Sequence, residues 1–112
     1  MTIEKFKSEI TGHLDIFVTE NDDELHSGKV RWKEVLIHGD SEGLKSFANL
    51  LIKLAELNQD NVVELPIGAR EHKHLHPKFE LSNSSDEVIV GLIDAKGTGE
   101  FYAWYVPKSN EI

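Results

Sequence analysis

Three of the chain's six histidines fall in one short segment at a spacing of two residues: His72, His74 and His76. Side chains of an extended strand alternate between its two faces, so these rings are expected on one face, followed by Lys78 and Glu80. The opposite face would pack on a core through Leu75, Pro77, Phe79 and Leu81. The histidine row is then a metal site, a proton-handling site, a recognition surface or a plain solvated face.

A metal site would use a pair such as His72 and His74, whose Cα atoms are about 6.6 Å apart on one face of a strand. All three histidines span about 13 Å, which is too far for one site on a straight strand. The further ligand would come from His13, His38 or Glu80. The HExxH and paired-cysteine motifs are absent. Because the histidine pair could still bind a metal without these motifs, a metal-binding domain or small metalloenzyme centred on this strand is the alternative function.

Other catalytic signals are weak. Gly97-Thr98-Gly99 lacks the lysine and following hydroxyl of a phosphate-binding loop and is expected to be a hairpin turn. A nucleophile and its base need serine, histidine and a carboxylate brought together, and the presence of these residue types in the chain does not indicate that. The protein is therefore predicted not to be an enzyme, with no catalytic residues and no cofactor.

The composition fits one domain over residues 1–112, because 112 residues can bury a single core. The net charge of −8 argues against nucleic-acid binding. The absence of cysteine excludes disulfides and thiolate sites and fits a reducing compartment. Neither a signal peptide nor an apolar run of about 20 residues is visible. A soluble, cytoplasmic protein that does not bind membranes is expected.

Acidic residues are concentrated at the start of the chain. Residues 1–24 contain seven acids and two lysines, a net charge of −5, which leaves −3 for the other 88 residues. Such an acidic end can steer a basic partner toward the protein. The alternative is that these acidic residues only keep the protein soluble. The steering candidates are Asp22, Asp23 and Glu24.

The first half of the chain predicts a hairpin and a helix. Alternation over residues 12–20 indicates a strand with Leu14, Ile16 and Val18 inward. An acidic loop at residues 21–24 leads to a second strand over 29–38, with a bulge near Lys33 and Glu34. A helix follows over about 41–58, with Asp40 or Ser41 as its N-cap. Its apolar side is wide, so burial on more than one side is expected.

The second half predicts three more strands. The histidine strand is followed by residues 87–94, which are apolar on both faces and suit a central strand. Residues 101–106 form the last strand. The predicted fold class is α+β, a single domain with one long helix on a mostly antiparallel sheet of about five strands, in the order β-β-α-β-β-β.

The last predicted strand is rich in aromatic residues. One face would hold Tyr102 and Trp104, residue types enriched at binding hot spots. Only one face of this strand can easily reach the helix. The face with Tyr102 and Trp104 is then either exposed for binding or covered by loops or by residues 1–11.

Several short segments, in order, resemble the immunity protein 32 family. They are the strand and helix start VLIHGDSEGL at 35–44, Leu50-Leu51, His74-Leu75-His76, Ser85, and EVIV at 87–90. The resemblance covers roughly residues 33–94. It implies a small bacterial protein, encoded beside a polymorphic toxin, that protects the producer by binding that toxin. It implies no cofactor and no catalytic residue.

The resemblance and the residues agree on an interaction protein. The prediction is a bacterial immunity protein that binds and neutralises a cognate toxin by stoichiometric blocking, through about 800 Å² per partner. Many such toxins are basic and act on nucleic acids, so a nuclease is a candidate. The predicted contacts are His72, His74 and His76, with Tyr102 and Trp104 as anchors. The protein itself is expected to be a monomer, or a homodimer paired through its last strand.

Overall fold

The computed structural model describes residues 9–26 and 28–108. Its elements are strand β1 (Leu14–Leu25), strand β2 (Gly28–Gly39), helix α1 (Ser41–Glu56), a short 3-10 turn (Gln59–Asn61), strand β3 (His72–Leu75) and strand β4 (Val88–Gly91). The fold is α+β, as predicted, with one helix. The strands form two small antiparallel sheets, β1–β2 and β3–β4, so the prediction of about five strands in one sheet is wrong.

The predicted antiparallel hairpin is confirmed, and its strands are longer than expected. The register is continuous from Leu14 opposite Gly39 to Leu25 opposite Gly28, so no bulge forms near Lys33 and Glu34. The acidic segment 21–24, predicted as a loop, belongs to β1. Acids face cations across the strands, which stabilises an extended pair. These pairs are Glu20 with Lys33, Asp22 with Arg31, and Glu24 with Lys29.

The core lies where the base of the hairpin, α1 and the β3–β4 sheet meet. Its buried residues are Ile10, Leu14, Ile16, Leu50, Leu75 and Leu81, with Phe47, Val88 and Val90 packed against them. Leu14 and Ile16 are inward as predicted. Val18, also predicted inward, is exposed, because the core ends at Ile16 and the hairpin continues beyond it.

Asp40 is the N-cap of α1, which confirms the first of the two predicted alternatives, Asp40 and Ser41. Its carboxylate accepts hydrogen bonds from the amides of Gly43 (2.7 Å) and His13 (3.1 Å), which satisfies a free helix N–H and ties the helix to β1. The helix ends at Glu56, before the predicted end. The expected burial on more than one side is wrong, since Leu44, Leu51 and Ile52 are exposed. A two-stranded sheet is too narrow to cover a second side.

The segment 82–86 joins the two sheets along the free edge of β1. Its Ser82 amide donates to the Leu14 carbonyl (2.9 Å), and its Asp86 amide donates to the Ile16 carbonyl (2.8 Å). The buried Ser85 hydroxyl lies between these contacts and binds Ile16 as well. The segment thus takes the place of a third strand beside the buried half of β1.

The histidine segment turns earlier than predicted. β3 ends at Leu75, and the Leu81 amide bonds back to the His76 carbonyl (3.1 Å). Lys78 adopts a φ of 74° within this turn. Lys78 and Glu80 therefore do not extend the histidine row. Phe79, predicted to be inward, is 81% exposed.

The last two predicted strands are also different in the structure. β4 pairs only with β3 among the described residues, so it is not a central strand, and Ile89 is 63% exposed. The predicted strand over 101–106 is reduced to one bridge between Phe101 and Asp94. Beyond it the Tyr105 amide bonds to the Tyr102 carbonyl (3.1 Å), which curls the chain into a turn. Across residues 9–26 and 28–108, no helix is long and apolar enough to span a membrane.

Candidate partner-binding surface

The outer side of the β3–β4 sheet carries the histidine row. Leu75, Val88 and Val90 face the core, so the alternating residues face outward. In the pairing register His74 lies opposite Ile89 and His72 opposite Gly91. We call this surface the histidine face; it comprises His72, His74, His76, Glu87, Ile89 and Gly91.

The three imidazole rings contact one another in sequence. The His72 and His74 ring centroids are 4.9 Å apart at an edge-to-face angle of 66°. The His74 and His76 rings are stacked, with centroids 6.0 Å apart and planes 8° apart. The predicted placement of the three histidines on one side is thus confirmed, although His76 lies just beyond the end of β3.

Hydrogen bonds fix the orientation of the two outer rings. His72 Nδ1 donates to the Arg70 carbonyl (2.9 Å). His76 Nδ1 contacts Glu87 Oε1 (2.8 Å). No described residue hydrogen-bonds to the Nε2 atom of either ring. Because Nδ1 is the donor in each contact, the Nε2 atom of the neutral ring is an acceptor for a partner's hydrogen-bond donor.

Gly91 provides the space that the His72 side chain occupies. A Cβ atom at position 91 would lie 3.0 Å from the His72 Cβ atom. Such a contact is too close for comfortable packing, so either the backbone or the His72 side chain would have to shift. The glycine thus keeps one end of the histidine face flat.

The three further ligands predicted for a metal are not grouped around this row. Glu80 accepts a hydrogen bond from the His76 amide (2.7 Å), and the His38 ring packs 6.1 Å from the Phe17 ring on the hairpin. His13 lies beside the helix cap, where its backbone amide donates to Asp40. In the described part of the chain no group of three or more potential ligands is arranged to hold a metal ion. The alternative metal function therefore has no site there.

Tyr102 and Trp104 follow the bridge at Phe101 and lie in irregular structure. Trp104 is 91% exposed, and the Tyr102 ring lies 6.0 Å from the Tyr105 ring. No described loop covers Trp104, so that part of the alternative is wrong, and the predicted coverage by residues 1–11 falls mostly outside the described residues. The same region is tied to β3 by Arg70, whose guanidinium donates to the carbonyls of Ile93 (2.9 Å) and Glu100 (2.6 Å).

The three acidic candidates lie at the far end of the hairpin, away from the core. Asp22 forms an ion pair with Lys29 (3.3 Å), and Asp23 accepts a hydrogen bond from the Glu24 amide (2.9 Å). All three side chains are exposed. The structure does not unite them with the histidine face, which lies on the other sheet.

Sequence reasoning missed an exposed apolar strip on the hairpin. Trp32 lies opposite Asn21 and shares its face with Val30 and Leu25, and all three apolar side chains are exposed. A groove of about 450 Å³ runs beside Trp32 and is lined by Glu20, Asn21, Asp22, Arg31, Trp32 and Lys33. The alternation of Val30 and Trp32 along β2 was the available signal for this strip.

Asp15 anchors the hairpin to the β3–β4 unit. Hydrogen bonds from the Ser82 and Ser84 hydroxyls lower the pKa of its carboxyl, and His38 opposite it contributes in the same direction. The Asp40 carboxyl likewise has a lowered pKa because the amides of Gly43 and His13 donate to it. Both carboxylates are occupied in holding the fold together.

The sequence model of the family described as Immunity protein 32 matches residues 34–93. This range is more than half of the 112 residues, and it includes α1, β3 and β4 with the whole histidine face. No curated protein matches the chain. No solved structure matches it either.

Proposed function

Because this chain belongs to the immunity protein 32 family, we propose that it binds a cognate toxin and neutralises it by stoichiometric blocking. The observation that carries this proposal is the histidine face, an exposed surface on paired strands inside the matched segment. Such a surface presents rings and an isoleucine to a partner with little loss of conformational freedom, because the strand pairing already fixes their backbone.

The contact surface that we propose centres on His72, His74 and His76. Their neighbouring rings offer apolar contact area, and the outer rings offer Nε2 atoms as hydrogen-bond partners. Tyr102 and Trp104 serve as anchors, because exposed aromatic side chains lose the most water-accessible area when a partner covers them. Glu87 contributes a carboxylate beside His76, at one end of this surface.

The acidic end of the hairpin supplies long-range attraction in this proposal. Residues 20–34 contain five acids and three cations, so the distal hairpin has a net charge of −2 within a chain of −8. Asp22, Asp23 and Glu24 would raise the association rate with a basic toxin, of which a nuclease is the candidate class. We place this encounter in the cytoplasm, where a chain without cysteine needs no oxidising compartment.

The test uses the toxin domain encoded by the adjacent gene, purified and titrated with this chain by calorimetry. We expect a one-to-one complex and loss of toxin activity. His74→Ala should weaken binding by at least about tenfold, which corresponds to about 1.4 kcal/mol. His26→Ala is the matched control, because His26 is an exposed histidine of the hairpin turn, off the histidine face. Equal affinity for both variants would contradict the surface assignment.

A further inference from the structure

One edge of β2 is bonded to β1, and the other edge has no pairing segment within residues 9–26 and 28–108; we call it the open edge. The amides of Ile16 and Val18 are bound by Ser85 and Asp86, so even-numbered residues of β1 point their backbone groups away from β2. In an antiparallel ladder these residues lie opposite non-hydrogen-bonded partners. The β2 residues whose N–H and C=O groups face away from β1 are therefore Lys29, Arg31, Lys33, Val35 and Ile37.

This open edge is long and has no covering segment in the described structure. No described residue hydrogen-bonds to those outward backbone groups. By contrast, residues 82–86 cover the edge of β1 as far as Val18. β2 runs for 12 residues with a continuous register and contains no proline. An open, regular strand edge of this kind is a template for pairing with another strand.

The side chains along the open edge have a definite order. Three cations, Lys29, Arg31 and Lys33, are followed on the same face by Val35 and Ile37, which are exposed. A complementary strand would place acidic side chains opposite the cations and apolar side chains opposite Val35 and Ile37. The chain's own β1 has this pattern on the paired edge, namely Glu24, Asp22, Glu20, Val18 and Ile16.

We propose that the open edge of β2 accepts an extended segment of the toxin, which adds as a third strand and carries, at every second residue, acidic side chains opposite the cations and apolar side chains opposite Val35 and Ile37. The inference rests on the proposed function and adds a second contact to it. Main-chain hydrogen bonds along the edge supply affinity, and the order of cations and apolar residues supplies register.

A second copy of this chain fits the same edge less well. Two-fold pairing of β2 with itself around Arg31 places Arg31 opposite Arg31 and Lys29 opposite Lys33, and like charges directly opposite each other are destabilising. Two-fold pairing around Val35 avoids this repulsion, but it places Lys33 opposite Ile37 and leaves the cations without acidic partners. Pairing β2 with the open distal edge of β1 in another copy matches the charges. That arrangement is head-to-tail and does not close into a dimer. The charges and the symmetry therefore favour a strand from a different protein.

The first test is amide hydrogen exchange, resolved by NMR, on the complex with the toxin domain encoded by the adjacent gene. Strand addition predicts that the outward amides of Arg31, Lys33 and Val35 exchange at least about tenfold more slowly in the complex. The Trp32 and Glu34 amides are the internal control, because they already bond to β1 and should change little. Docking of side chains alone would not produce this alternation.

The second test compares two substitutions at one outward position. Arg31→Pro removes an N–H that β1 does not use, whereas Arg31→Ala removes the same side chain and keeps the N–H. We expect toxin affinity to fall at least about tenfold for the proline variant and no more than about threefold for the alanine variant. Thermal unfolding of both free variants checks that the hairpin remains folded.

The outcomes separate the two proposals. If no complex forms, the proposed function fails and the strand addition fails with it. If a complex forms but exchange at Arg31 and Lys33 is unchanged, only the strand addition is overturned. If those amides become protected in the free chain as its concentration rises, a second copy occupies the edge, and the assignment to the toxin is overturned.

Discussion

The Ser85 hydroxyl binds both backbone groups of Ile16. It donates to the Ile16 carbonyl (2.7 Å) and accepts from the Ile16 amide (3.1 Å). One buried side chain thus does what a neighbouring strand would do for that residue. This contact connects the long hairpin to the β3–β4 unit that carries the histidine face.

We therefore expect Ser85→Ala to lower the free energy of unfolding by about 1–3 kcal/mol, because it leaves the buried Ile16 amide without a partner, while the Ile16 carbonyl keeps its bond from the Asp86 amide. Urea denaturation monitored by tryptophan fluorescence measures this change. Ser84→Ala is the control, since the Ser84 hydroxyl is exposed and binds only side chains. A loss for Ser85→Ala no greater than for Ser84→Ala would show that the bridge is not important for stability.

The lowered pKa of Asp15 predicts a specific dependence of stability on pH. A carboxyl whose pKa is lower in the folded state stabilises the protein above its unfolded pKa, about 3.9, and this contribution disappears as the pH falls through the folded value. Asp15→Asn should therefore reduce stability at pH 6 and have a smaller effect near pH 2. Unfolding curves of both proteins across this range measure the difference. If the two proteins differed in stability by the same amount at every pH, the assigned hydrogen bonds to Ser82 and Ser84 would be contradicted.

Gly43 is required by the close approach of β1 to the start of α1. A Cβ atom at this position would clash with the His13 carbonyl oxygen and its carbon. Gly43→Ala should raise helix propensity by about 1 kcal/mol but lower overall stability by about 2 kcal/mol or more. Ser41→Ala, two residues earlier on an exposed position, is the matched control for thermal unfolding. A melting temperature equal to that of the control would contradict the close packing.

Trp104→Ala tests the aromatic anchor in the proposed complex. The side chain is 91% exposed in the free protein, so stability should be unchanged while dissociation from the toxin becomes at least about tenfold faster. Ile52→Ala removes an exposed apolar side chain on α1, outside the proposed contact, and should leave dissociation unchanged. Surface plasmon resonance measures both rates. Equal dissociation rates would remove Trp104 from the interface.

Neutralising the acidic end of the hairpin tests electrostatic steering. The triple change Asp22→Asn, Asp23→Asn and Glu24→Gln should slow association severalfold at low ionic strength, and the effect should largely vanish at about 1 M salt, where the screening length is about 3 Å. Stopped-flow fluorescence measures the association rates. Glu64→Gln, at an exposed position away from the hairpin, gives a comparison for a smaller charge change. A difference that persists at high salt would indicate direct contact instead of steering.

Local patterns were sufficient to predict the hairpin, the Asp40 cap and the shared side of the three histidines. Residues two positions apart lie on the same side wherever the backbone is extended, and His72 and His74 lie in a strand. An N-cap is likewise a local feature of the backbone and one side chain. The acidic segment 21–24 was mistaken for a loop because its stability depends on cations in β2, and that pairing is visible only in the register of the two strands.

The remaining errors concern which surfaces meet across the molecule. The apolar residues of α1 indicated two buried sides, but the two-stranded hairpin covers only one of them. The aromatic alternation at 101–106 indicated a strand, but only Phe101 finds a bridging partner in the described structure. The exposure of Trp32 depends on where the core ends along the hairpin, which the alternation of one strand does not specify.

The most direct test of the central claim is co-expression of this chain with the toxin domain encoded by the adjacent gene, scored by survival of the cells and by the stoichiometry of the purified complex. Immunity by blocking predicts that cells survive and that the two proteins co-purify one to one. Cell death in the presence of the folded chain, or survival without any complex, would contradict it.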